Sequence, residues 1–266
     1  MGFYVLGTFI PYYGLCILIG IVCAFFISYV LCKKENQDTD DLIVICAYLI
    51  AFGFLGAKIL YVLVSLQSID FRFVFKNMKT FNFFISSGFV FYGGIIGGLF
   101  ALLFVKKIHK IEVRDFVPIL VPGLCIAHSF GRIGCSLAGC CHGKITNNKH
   151  FYYMYSNSLV APNNVKLIPV QGIEAFCVFL LGVVCFILVL KRKKINVVFL
   201  YILVYTVLRF ILEFFRGDSE RGCLLFFSTS QIISLVGMNF VLFAVFLTRY
   251  KKRITLKKVK KRKAIL

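Results

Sequence analysis

Seven stretches of the chain, at 11–31, 42–66, 89–105, 116–131, 172–190, 195–212 and 230–248, are apolar over close to a membrane thickness. A helix needs roughly 20 such residues to cross a bilayer. Composition agrees: 60% of residues are hydrophobic, 17% aromatic, and the mean hydropathy of +0.88 excludes an ordinary soluble globular domain. The expected fold is an all-α polytopic membrane protein with about seven transmembrane helices. No Lys or Arg precedes the first stretch, and its apolar run is too long for a cleavable signal peptide, so it is expected to persist as a helix. No Pro/Ser-rich linker or internal repeat interrupts the pattern. One transmembrane domain over 1–248 with a basic tail at 249–266 is the organisation it implies.

The net charge of +20 raises the question of nucleic acid, but the cations stand in short runs between apolar stretches rather than across a water-exposed face. No nucleic-acid partner is expected. Lys and Arg near helix ends are retained on the cytoplasmic side. With the N-terminus outside, the inner segments hold Lys33 and Lys34; Lys106, Lys107, Lys110 and Arg114; Lys191 to Lys194; and the cations from Arg249 to Lys263, 20 in all against nine in the outer loops. That asymmetry places the N-terminus outside and the C-terminus in the cytoplasm. The tail then touches anionic membrane lipids, each cation near the surface contributing about 1 kcal/mol.

Charge at membrane depth is costly and marks a path, a partner or a site. On this topology the polar residues gather at the outer ends. Tyr13 starts the first helix, Lys58 lies in the second, Tyr92 with Gly93 and Gly94 opens the third, and Arg132 closes the fourth. Gln171 and Glu174 begin the fifth, Arg209, Glu213 and Arg216 end the sixth, and Gln231 begins the seventh. The inner halves are almost entirely apolar, which counts against a transport path.

Each piece has a plainer reading. Arg209, Glu213 and Arg216 share a helix face and form an internal ion-pair ladder as readily as a site. Gly93, Gly94, Gly97 and Gly98 suit close helix packing in lipid. Tyr13 and Tyr92 suit an interfacial aromatic belt, and Lys58 can snorkel outward. Gln171 and Glu174, just after Pro169, suit a hydrogen-bonded helix start.

The densest stretch is HSFGRIGCSLAGCCHG, His128 to Gly143. Its glycines, Gly131 and Gly143 among them, let the backbone turn at the membrane edge and leave amides near Arg132, a cradle for phosphate. Arg suits that task because its planar fork binds phosphate bidentately and stays charged when partly desolvated. Cys135, Cys140, Cys141 and His142 raise the question of zinc. The spacing argues against it, with no paired C-x-x-C and two adjacent cysteines, and cysteine elsewhere in this chain serves as a small hydrophobe. No metal and no cofactor is expected; a disulfide among Cys135, Cys140, Cys141 and Cys223 stays open.

At these motifs the chain resembles the prolipoprotein diacylglyceryl transferase family. Tyr13-Gly14-Leu15 is similar to that family's YGL, GAKILYVL (Gly56 to Leu63) to GARLGYVL, and FYGGIIGG (Phe91 to Gly98) to FHGGLIGG. GRIGCSLAGCCHG (Gly131 to Gly143) resembles GRIGNFINGExxG, PVQGIE (Pro169 to Glu174) resembles PxQLYE, RFILEFFRGD (Arg209 to Asp218) resembles RFxxEFxRxPD, and Gln231 matches a later G-Q element. The resemblance implies an enzyme that moves the diacylglyceryl group of phosphatidylglycerol onto the lipobox cysteine of a prolipoprotein signal peptide, releasing glycerol phosphate. In that reading Arg132 and Arg209 hold the phosphate, and Glu213 and Arg216 order the site. Tyr13, Gly93, Gly131, Gly143, Gln171 and Glu174 line it.

Three positions depart from the pattern: Tyr92 stands for the family's His, Cys135 for its Asn and Cys140 for its Glu. The acceptor thiol, with a free pKa of about 8.5, reacts as thiolate. His is the natural base, whereas Tyr, neutral at pH 7, assists by donating a hydrogen bond or relaying a proton. His128, His142 and Glu213 are other candidates. The departures fit either a divergent branch with the same reaction or a paralogue with the same lipid site and another acceptor.

Overall fold

The computed structural model describes residues 2–5, 8–86, 88–158, 160–193, 195–218, 223–224 and 227–263. Two compact units divide the chain: Met1–Ser28 with Pro118–Leu266, and Tyr29–Val117. The described residues are overwhelmingly helical.

The first unit opens with an antiparallel hairpin of β1 (Gly2–Val5) and β2 (Thr8–Pro11), which leads into α1 (Tyr12–Lys34). Its other long helices are α6 (Val113–Ala138), which belongs to this unit from Pro118 on, α7 (Val170–Leu190), α8 (Val197–Glu213) and α9 (Thr229–Lys263). The pair β3 (Cys223–Leu224) and β4 (Phe227–Ser228) precedes α9. The second unit contains α2 (Thr39–Val64), the four-residue α3 (Phe71–Val74), α4 (Met78–Ser86) and α5 (Phe91–Ile108). The short α3 and α4 lie where the apolar pattern implies only loop.

Among the described residues, six helices are long and apolar enough to cross a membrane: α1, α2, α5, α6, α7 and the Thr229–Leu247 part of α9. The remaining expected crossing, 195–212, is helical as α8. Its 17 residues rise about 26 Å, at the lower end of what spans a bilayer. The chain is thus a multi-pass α-helical membrane protein. Helix α9 continues from its apolar part without a break to Lys263, through the expected tail boundary.

Helices in lipid associate through close packing, with small residues at the contacts. In the first unit a Cβ on Gly20 of α1 would stand 2.9 Å from the Phe130 Cβ of α6, and one on Gly123 would stand 2.6 Å from the Ala24 carbonyl oxygen. Gly182 of α7 meets Cys125 in the same way, beside a core of Val121, Cys125, Val178, Leu181, Cys185 and Val197. In the second unit α2 and α5 cross where Gly56 meets Gly93 and Gly97, and a Cβ on Gly97 would strike the Phe52 carbonyl oxygen. Lys58 donates to the Phe84 carbonyl of α4 and lies 4.0 Å from the centre of that ring.

Local signals set the helix starts. Asp38 and Asn196 accept from the first-turn amides of α2 and α8, and Ser228 with Gln231 forms a reciprocal capping box on α9, at 3.0 and 3.2 Å. Gln231 therefore caps a helix.

Candidate active site

Arg132, in the last two turns of α6, directs Nε to Oε1 of Glu174, which follows the first turn of α7, at 3.1 Å. Its Nη2 is 3.5 Å from the Tyr205 hydroxyl, which donates to the same carboxylate oxygen at 3.1 Å. Glu174 is 1% exposed. A carboxylate so deep is tolerated because a guanidinium and a phenol together compensate it. Tyr205 also packs against the His128 ring, 4.7 Å between centroids, and His128 Nδ1 is 3.0 Å from the Tyr201 hydroxyl.

A second run of contacts starts on α8. Arg209 Nη2 lies 2.5 Å from Glu213 Oε2 and donates to Ser230 Oγ at 3.2 Å. The same Glu213 oxygen faces Arg216 Nε at 3.9 Å. Arg216 grips Asp218 with both prongs, Nε to Oδ1 at 2.9 Å and Nη2 to Oδ2 at 2.6 Å. Burial by itself would lower the pKa of Arg216, but the Asp218 carboxylate outweighs it and holds the guanidinium above its ordinary range. Glu174, Arg216, Glu213 and Arg132 all act electrostatically on Arg209. The two runs are one charged layer.

The ladder of ion pairs over 209–216 therefore exists, and its contacts extend to Ser230 and Asp218. Arg209 is 6% exposed, and its Nη1 has no hydrogen-bond partner among the described residues. Leaving a buried donor unsatisfied costs about 1–3 kcal/mol, more for a charged group. Such a donor calls for an acceptor beyond the described residues.

Beyond α6 the backbone reverses through Gly139, at φ +79°, and Cys141, at φ +59°. Gln171 fixes the turn by donating Nε2 to the Cys140 carbonyl at 2.9 Å, and lies 3.4 Å from the Tyr155 hydroxyl. That hydroxyl donates to the Ser136 carbonyl at 2.7 Å. Burial raises the Tyr155 phenol above its ordinary pKa. The turn gathers the sulfurs of Cys135, Cys140 and Cys141 to within 4.8 Å of one another. Their irregular spacing along the chain argues against such a meeting, but two left-handed residues fold the strand back on itself. Cys135 and Cys140 form no disulfide among the described residues; the side chain of Cys223 lies outside the described residues.

Other expected residues fall around this layer. Tyr13 edges the turn: a Cβ on Gly134 would stand 3.0 Å from its Cδ2. Gly143 forms an isolated bridge with Arg216, and a Cβ there would strike Ile168 and Val170. A Cβ on Gly131 would meet nothing within 4 Å. An open cavity of about 300 Å³ is lined by His142, Gly143, Lys144, Ile145, Pro162, Leu167 and Gly217. Tyr92 and Gly93 belong to the other unit, where Tyr92 is half-exposed beside Phe91 and Gly93 is buried against the α2 backbone.

Residues 2–248 match the pattern of the prolipoprotein diacylglyceryl transferase family. The chain belongs to that family. Among its relatives, a phosphatidylglycerol--prolipoprotein diacylglyceryl transferase of Clostridium tetani (strain Massachusetts / E88) is 36% identical over 253 residues, 94% of this chain and 98% of the relative. The Clostridium perfringens (strain 13 / Type A) protein named phosphatidylglycerol--prolipoprotein diacylglyceryl transferase 2 is 34% identical, over 87% of this chain and 88% of its own length. A transferase of the same name from Clostridioides difficile (strain 630) is 28% identical over 90% of each chain. This family membership makes the chain a transferase of lipoprotein biosynthesis.

Sequence reasoning missed Tyr205, Ser230 and Tyr155. Tyr205 was within reach, since Tyr201, Tyr205, Arg209 and Glu213 follow at intervals of four and share one face of α8. Tyr155 and Ser230 carry no such signal, because long loops and a helix start bring them in.

Proposed function

We propose that the chain transfers the diacylglyceryl group of phosphatidylglycerol to the lipobox cysteine thiol of prolipoproteins, at the outer face of the bacterial cytoplasmic membrane, releasing glycerol phosphate. The observation that carries this reading is the buried Nη1 of Arg209, without a hydrogen-bond partner among the described residues, in a layer that also holds Arg132 and Arg216. A phosphodiester brings the acceptor that this donor lacks.

Arg209 and Arg132 are the phosphate-holding residues. As the glyceryl carbon–oxygen bond to phosphate breaks, negative charge grows on the leaving group, and fixed cations in a water-poor site stabilise that growth more than they stabilise the bound lipid. Glu174 and Glu213 hold the guanidinium planes so that little reorganisation accompanies the charge shift. Arg216, locked to Asp218, supports Glu213 from the other side. Tyr13, Gly131, Gly143 and Gln171 line the site, and Gln171 does so by fixing the cysteine turn. Tyr92 and Gly93 enter through their motif, with Tyr92 as a hydrogen-bond donor or proton relay. The N-terminus lies outside and the basic C-terminal segment lies in the cytoplasm against anionic lipid.

The test is transfer by purified protein from labelled phosphatidylglycerol to a lipobox peptide, run beside a peptide with serine for cysteine. Label on the cysteine peptide alone is the expected result. No label, with an active relative as positive control, would overturn the reading.

A further inference from the structure

Three thiols, one in the last turn of α6 and two on the turn that follows, are an unusual neighbour for a layer of arginines. Cys135, Cys140 and Cys141 are each half-buried, with all three sulfurs mutually within 4.8 Å. Zinc bound to thiolates at about 2.3 Å in tetrahedral geometry sets its sulfurs about 3.8 Å apart, so a small inward rotation of the side chains closes a three-sulfur site. Among the described residues no fourth His, Cys, Asp or Glu joins the group. His142 turns Nδ1 to the Gly143 carbonyl at 3.1 Å. Three protein donors and one open position is the arrangement of catalytic zinc, whereas structural zinc is closed by four.

The surroundings fit an anionic complex. Zinc with three thiolates carries a formal charge of −1, and both Arg132 and Arg216 act electrostatically on the cluster, Arg132 on Cys135 and Cys141 and Arg216 on Cys141. Tyr13 lies within electrostatic reach of all three cysteines. The site is thus built beside the cations assigned to phosphate.

We propose that Cys135, Cys140 and Cys141 bind a zinc ion whose fourth position takes the acceptor cysteine of the prolipoprotein. This rests on the transfer reading above and supplies what it lacks, a group that makes the thiolate where Tyr92 stands for a histidine. A thiol that coordinates zinc is deprotonated outright, its proton passing to water. The bound sulfur then attacks the glyceryl carbon. The sulfur–carbon bond forms, the carbon–oxygen bond to phosphate breaks, and the electron pair leaves on glycerol phosphate. The thioether product is neutral, binds zinc weakly and departs, which restores the open position.

Full-length protein, purified in detergent from zinc-supplemented cells, is expected to hold about one zinc per chain, as a dedicated thiolate site should. Cys135→Ser and Cys140→Ser should lower that content at least tenfold, whereas Cys177→Ser, away from the turn, should not. Cobalt(II) put in place of zinc reports the open position without any variant or turnover: its sulfur charge-transfer and d–d bands should shift on adding a cysteine lipobox peptide and stay unchanged with the serine peptide. Metal-free protein that still transfers lipid would overturn the zinc site and leave the transfer reading standing. Cobalt bands that ignore the cysteine peptide would overturn the acceptor role. Zinc binding with the thiol-dependent shift but no lipid transfer would instead overturn the transfer reading.

Discussion

Two helix contacts in this molecule are built on opposite principles. Where α2 meets α5, the contact is made by backbone: Gly56 faces Gly93 and Gly97, and any added Cβ would strike a carbonyl or a Cα. Where α6, α7 and α8 meet, it is made by charge: Arg132 on Glu174, with Tyr205 between them. The first contact is sensitive to a single carbon and indifferent to electrostatics. The second keeps its shape through a change of one atom type and fails on loss of a charge. In lipid, where apolar burial gives helices no reason to prefer each other over acyl chains, the first sort of contact serves assembly. The second is costly to insert and marks a task.

Chemistry should break at the charged contact first. Arg132→Ala and Arg209→Ala should each lower transfer by at least about 100-fold, the scale for removing one fixed donor to a developing charge, while membrane insertion is unchanged; the lipobox-peptide assay and a membrane-fraction blot check both. Activity kept in either variant would remove that arginine from the site. The glycine contact should fail differently. Gly97→Val places its side chain against the Phe52 carbonyl and should reduce folded yield and melting temperature, with a cost of at least about 1–3 kcal/mol for overpacking. Size-exclusion profiles and melting in detergent read this. Gly98→Val, whose Cβ would meet only the tip of Leu49 at 3.7 Å, should be nearly silent.

Most of the fold was legible because lipid imposes a length and a polarity on every crossing helix, and both are written in the chain. The short α8 was legible as a helix although it is shorter than the six helices long enough to cross. The layer of Arg132, Glu174, Arg209, Glu213 and Arg216 was legible too, since a charge inside an apolar run has few meanings. Spacing failed at the cysteines: a metal-ligand pattern is usually sought in regular intervals, and here two residues with positive φ, Gly139 and Cys141, bring irregular ones together. It failed also at Tyr155, which reaches Ser136 and Gln171 from a long loop whose course no periodicity describes. The amphipathic α4 was hidden because nine residues are too few for a secure helical pattern.

Glu174→Gln sharpens the contrast, because it keeps the shape of the charged contact and removes only its charge. The amide can still accept from Tyr205, so the helices should remain assembled. Arg132 loses the carboxylate that aims it, and transfer should fall about tenfold, less than for loss of the arginine itself. A fall equal to that of Arg132→Ala would mean that Glu174 does more than aim.

The smallest effect belongs to Tyr155→Phe, which removes the 2.7 Å bond to the Ser136 carbonyl and leaves the ring in place. The lost hydrogen bond is worth about 1 kcal/mol, so the melting temperature should fall by a few degrees and transfer should change little. Its pH dependence identifies the cause. Burial raises the pKa of this phenol in the fold, so the folded state favours the neutral form. The stability that this contributes is complete below the unfolded value of about 10 and is lost as pH rises through the higher folded value. The melting difference between wild type and Tyr155→Phe should therefore be constant at neutral pH and shrink only above about pH 10. A difference that shrank near neutrality would mean that another group, not this phenol, couples the loop to the cysteine turn.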